Sequence, residues 1–113
     1  MIWNPYYECM DIEERRELQA RRLRETVARL MVSVPYYREK FKACGIAPEG
    51  IKSVDDLRYL PFTTKDDLRA TYPFGLFAVP LAEVVRTHAS SGTTGNPTVV
   101  GYTREDIGIW AET

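Results

Sequence analysis

One histidine (His88) and two cysteines (Cys9 and Cys44) are all that 113 residues offer of the side chains most used to ligate metals or attack electrophiles. The cysteines lie far apart with no C-x-x-C, which argues against a zinc ribbon or a dithiol redox motif and for two reduced thiols in a cytoplasmic protein. An excess of charge is also missing. Fifteen Lys and Arg against 16 Asp and Glu leave a net charge of −1, so no global field recruits nucleic acid or an anionic membrane. Apolar runs extend only a few residues, too short for a membrane span or a secretory signal. There is no G-x-S-x-G, so Ser90 and Ser91 lack the setting of a nucleophile, and no repeat or low-complexity tract. His88 has no acid or nucleophile beside it in sequence, and a strand histidine bonded to the backbone is expected rather than a general base.

What is there divides by period. Apolar residues make up 44% of the chain, enough for a core. Met1 to Met10, with Trp3, Pro5, Tyr6 and Tyr7, reads as an irregular aromatic arm. Asp11 is placed as an N-cap with Glu14 three residues on, the spacing of a capping box. The helix that follows, Ile12 to about Ser33, sets Leu23, Val27, Leu30 and Val34 on one stripe. Its arginines are interleaved with glutamates; Glu17–Arg21 and Glu25–Arg29 have the favourable order, so a solvated face is expected rather than a nucleic-acid surface. Pro35 starts a short helix that Gly45 ends. Ser53 with Asp56 and Thr64 with Asp67 start two more, stopped by Pro61 and Pro73. Tyr36, Tyr37, Phe41, Phe62 and Phe74 are expected in the core. Residues 11–72 should thus be mostly helical.

Beyond Ala78 the period changes to that of strands. Val84–Ala89 and Thr98–Thr103 flank Ser90-Ser91-Gly92-Thr93-Thr94-Gly95-Asn96-Pro97, where hydroxyls, glycines and one amide crowd together without a carboxylate. Glycines let successive N–H groups turn to one side, and hydroxyls add donors, a combination suited to an anion. It is neither a P-loop, which needs G-x-x-x-x-G-K-[ST], nor a dinucleotide fingerprint, and an ordinary polar turn has the same composition. Thr103 then caps a last helix carrying Ile107 and Trp110. Two strands and a helix just begun cannot cover a sheet, and the expectation is the front of a larger α/β protein. Residues 1–79 are expected to form a helical subdomain, and 80–113 the first strand–loop–strand of the α/β core with a truncated helix. Such a partial sheet should dimerise or self-associate through the face near Val99, Ile107 and Trp110.

The string Ser-Ser-Gly-Thr-Thr-Gly-Asn-Pro-Thr at 90–98 closely resembles the phosphate-binding loop of the adenylate-forming enzymes. With Val34-Pro35-Tyr36-Tyr37-Arg38, Leu60-Pro61-Phe62-Thr63-Thr64-Lys65-Asp66-Asp67-Leu68-Arg69 and Tyr72-Pro73-Phe74-Gly75 in order, nearly the whole chain resembles the N-terminus of the phenylacetate–CoA ligase family. That resemblance implies an α/β enzyme joining an aryl-acetic acid to coenzyme A through an acyl-adenylate, with ATP and Mg²⁺, releasing AMP and pyrophosphate. It assigns the ATP phosphates to Ser91, Gly92, Thr93, Thr94 and Gly95, with Ser90, Asn96 and Lys65 as further candidate contacts. Members often have Lys where this chain has Asn96, which removes a positive charge from the loop. The resemblance implies no catalytic or metal-binding residue within these 113 residues, small-molecule partners only, and no turnover by this portion alone. The competing expectation is a stand-alone helical interaction module whose loop is only a turn.

Overall fold

The computed structural model describes residues 1–91 and 95–113. Its first helix, α1 (Pro5–Glu8), lies where an irregular arm was expected. Four residues are too few to show a period; reciprocal capping makes the turn. Asn4 accepts from the Tyr7 amide, and Glu8 Oε1 accepts from the amides of Trp3 at 2.8 Å and Asn4 at 2.6 Å. In α2 (Ile12–Ser33) Asp11 is the cap, but it accepts from the Glu13 amide at 2.9 Å and the box with Glu14 does not form. On the solvated face the pair formed is Arg21–Glu25, at 4.0 Å, and neither pair expected from the sequence is present among the described residues.

The stripe of α2 builds the core. Val27 and Val34 are fully buried, and Val27 packs with Phe41 and Ile51 while Leu23, Leu30, Tyr37 and Leu60 close around them. Burying each such side chain contributes about 1.5–3 kcal/mol. Val34 turns the chain directly into α3 (Pro35–Ala43), and Arg38 donates to Met31 O at 2.7 Å and Val32 O at 2.6 Å, satisfying carbonyls that α2 leaves open at its end. Gly45 follows at φ 67°, the left-handed cap. Ser53 and Asp56 do form a capping box, but Val54–Tyr59 winds as a 3₁₀ turn. Thr64 and Asp67 form another, and α4 (Lys65–Ala70) follows it. Of the aromatics expected inside, Phe41 is buried, Tyr36 and Tyr37 are half-buried, Phe74 is 41% exposed and Phe62 is 90% exposed. Phe62 lies between Pro61 and the Thr64 cap, on an extended link that no helix covers.

Strands β1 (Val84–Ala89) and β2 (Val99–Thr103) pair antiparallel, with Arg86 opposite Tyr102, Thr87 opposite Gly101, His88 opposite Val100 and Ala89 opposite Val99. The register is irregular between Val84 and Arg86. Thr103 and Asp106 box the start of α5 (Arg104–Ala111). The architecture is mostly helical with one hairpin, as its period pattern implied.

Candidate functional site

The hairpin presents its connection at the end away from α5. Ser90 and Thr98 clamp the base. The Ser90 amide donates to Thr98 O at 3.0 Å, the Thr98 amide donates to Ser90 Oγ at 3.2 Å, and the two hydroxyls lie 2.8 Å apart. Ser90, a candidate contact, is thereby engaged in holding the loop shut. Above the clamp Ser91, Gly95 and Asn96 are exposed. Gly95 has φ 91°, which L side chains rarely adopt, although space around it is open; glycine is needed there for the backbone alone. Gly92, Thr93 and Thr94, named from the sequence for the same loop, lie outside the described residues.

Among the described residues the His88 ring does not bond to the backbone, although it was expected to. Its ring packs edge-on against Tyr102, at 5.2 Å, and Trp110, at 6.1 Å, and those two stack at 5.7 Å. Cross-strand proximity and the last turn of α5 bring the three together on one face, with His88 and Trp110 exposed. Lys65 stands exposed in the first turn of α4 and makes no ion pair or hydrogen bond among the described residues. Its neighbouring acids are taken: Asp66 by Arg69 at 3.2 Å, Asp67 by Lys40 at 3.0 Å.

The second polar assembly had no signal in sequence spacing, because it joins α3 to α4. Asp67 accepts from the Tyr36 hydroxyl, from the Thr64 amide at 2.7 Å and from Lys40 Nζ. Lys40 also reaches Phe62 O at 2.8 Å and Tyr36 Oη at 3.1 Å. The Tyr36 hydroxyl first, then the Thr64 amide and Lys40, hold the Asp67 carboxyl well below the usual carboxylate range. The same bond to Asp67 pushes the Tyr36 phenol up, and the Tyr36 and Asp67 bonds raise Lys40. This is a clasp: every charge is spent inside it, leaving none to attract a ligand.

Between the helices and the hairpin lies a half-open cavity of about 370 Å³, walled by Leu30, Tyr37 and Leu68 on one side and Val84 and Val99 on the other. At its edge Asp106 is held below its ordinary range by the Thr103 amide and hydroxyl and, more weakly, by the Arg29 charge. Among the described residues no three His, Cys, Asp or Glu side chains gather as a metal site, and no helix is long and apolar enough to cross a membrane.

No family model matches the chain. It is 51% identical over 112 residues to the phenylacetate-coenzyme A ligase of Thermus thermophilus, covering 99% of this chain and 25% of the relative. It is 53% identical to that of Escherichia coli, covering 92% and 24%, and 56% identical to that of Aromatoleum evansii, covering 88% and 22%. Among solved structures, a 2-hydroxyisobutyryl-CoA ligase in complex with 2-HIB-AMP and CoA superposes with TM-score 0.81 at 36% identity, over 90% of this chain and 23% of that one. An open conformation of the same ligase gives TM-score 0.77. The chain spans about a quarter of the length of the curated relatives it matches.

Proposed function

We propose that this chain, a homologue of the phenylacetate–CoA ligases along nearly its whole length, carries the ATP phosphate-binding loop of an AMP-forming acid–CoA ligase. The complete reaction in this reading joins phenylacetate to coenzyme A through an acyl-adenylate, releasing AMP and pyrophosphate in the cytoplasm. The observation that carries it is the hairpin connection: Ser91, Gly95 of positive φ and Asn96 exposed above a base closed by Ser90 and Thr98, inside a chain more than half identical to ligases of that name.

The donor set fits a phosphate chain. Ser91, Gly92, Thr93, Thr94 and Gly95 would hold the ATP phosphates through amides and hydroxyls, with Asn96 beside them and Ser90 keeping the loop closed. ATP when bound supplies the activated phosphorus that the carboxylate attacks. The loop's part is to orient the departing pyrophosphate and spread its charge over preorganised donors. Mg²⁺ finds no carboxylate cluster among the described residues. Residues 1–79 act as the helical support and 80–113 as the start of the catalytic core, and this portion alone lacks turnover. Of the surface expected near Val99, Ile107 and Trp110, only Trp110 stands exposed, while Ile107 is half-buried and Val99 walls the cavity. Self-association is therefore assigned to the face around Trp110, read by light scattering of the chain at rising concentration; a monomer throughout contradicts that part.

The test of the activity is the complete gene product with ATP, phenylacetate and coenzyme A. Phenylacetyl-CoA should appear only with all three substrates and match pyrophosphate in amount during turnover. Without coenzyme A, pyrophosphate release should need ATP and phenylacetate and stop once the adenylate fills the site. A product that binds none of them and releases no pyrophosphate would return the chain to the interaction-module reading.

A further inference from the structure

A glycine in the middle of a strand weakens it unless another group needs the space of its side chain. Gly101, in the centre of β2, is such a case. A Cβ built there would lie 2.6 Å from both Cε2 and Cζ of Phe77 and 3.2 Å from Cγ1 of Val84. The Phe77 ring fills the notch that the missing side chain leaves.

The turn delivering that ring is itself built on a glycine. Gly75 donates to Thr71 O at 2.8 Å, and a Cβ on Gly75 would lie 2.6 Å from that oxygen, so only glycine closes the turn. The closed turn brings the Phe77 amide to Phe74 O at 3.0 Å and sets the two rings 5.2 Å apart. From the notch the path to the loop is short. Gly101 opposes Thr87, two residues from Val99, and the Ser90–Thr98 clamp follows immediately. The cavity of about 370 Å³, which Phe77 and Gly101 themselves line, leaves the joint between the helices and the hairpin open around the notch. A joint so sparsely packed takes its angle from the contact that is tight.

We propose that Phe77 and Gly101 are positioning residues: the ring in the glycine notch fixes the hairpin against the helices and so sets where the phosphate-binding loop stands. This rests on the loop's role under the reading above. A side chain at 101 pushes the ring out and tilts β2 together with the clamp at its end.

The experiment is a size exchange in the complete gene product, comparing the parent with Gly101→Ala, Phe77→Leu and the double variant. Gly101→Ala should raise KM for ATP by about tenfold or more, the scale of a small misplacement of a binding group, and leave KM for phenylacetate unchanged. Phe77→Leu, which removes the ring carbons in conflict, should restore KM for ATP in the double variant. Amide hydrogen exchange at residues 89–91 and 95–100 should quicken in Gly101→Ala and slow again in the double. Lower thermal stability with both KM values unchanged, or a double variant no better than Gly101→Ala, overturns the proposal. Should the parent use no ATP, the functional reading fails by itself. Hydrogen exchange then decides the joint: quickening in Gly101→Ala with recovery in the double supports it, and no quickening, or none recovered, overturns it. A Gly101→Ala protein that does not fold still leaves that decision to Phe77→Leu alone, whose 95–100 amides should exchange faster than the parent's; unchanged exchange there overturns the joint.

Discussion

Lys65 is the residue whose placement least serves its own helix. A cation in the first turn opposes the helix dipole, and α4 is already capped by Thr64 and Asp67. Asp66 and Asp67 are the acids nearest to Lys65 in sequence, yet Arg69 and Lys40 hold them. Under the proposed reading, Lys65 is the candidate to supply the charge missing at Asn96. In the complete gene product Lys65→Ala should therefore lower kcat/KM for ATP by about tenfold or more, the range of one charge-assisted hydrogen bond. Its folding stability should hardly change. Unaltered ATP kinetics assign Lys65 to solvent.

At the scale of elements, the helices and strands were legible wherever a period or a cap repeats. The Leu23–Val34 stripe, the Pro35 start, the Gly45 end and the Thr64 and Thr103 boxes stand where their chemistry put them. What was illegible depends on partners distant in sequence. His88 found rings on β2 and α5, Phe62 found nothing to cover it, and Tyr36, Lys40 and Asp67 met across two helices. Of the site, the hairpin position of the connection was readable and the Ser90–Thr98 clamp was not, since it needs the strand register. The α3–α4 clasp yields a prediction with a definite sign. Asp67 has its pKa depressed in the folded state, so its contribution is fully present above about pH 4 and is lost as the pH falls below that. Thermal midpoints followed from pH 7 to pH 2 should show Asp67→Asn less stable than the parent at pH 7. Below pH 4 the two curves should converge. Parallel curves would mean that the clasp contributes nothing to folding.

Taken whole, the molecule is spread out. Its radius of gyration is 16.2 Å, against about 13 Å for a compact domain of this length. Val32, Phe62 and Trp110 stay exposed, and both outer edges of the hairpin are unpaired among the described residues. Such a surface suits a part that works against neighbouring protein, with the loop held at its margin. The central claim is that this loop binds the ATP phosphates, and phenylacetate-dependent exchange of labelled pyrophosphate into ATP reads that step without the later thioester chemistry. In the complete gene product the parent should exchange label without coenzyme A. Gly95→Val, which forces a β-branched residue to φ 91°, should abolish the exchange while the circular dichroism of the helices is kept. Exchange that persists undiminished in Gly95→Val, or that the parent lacks, would contradict the claim.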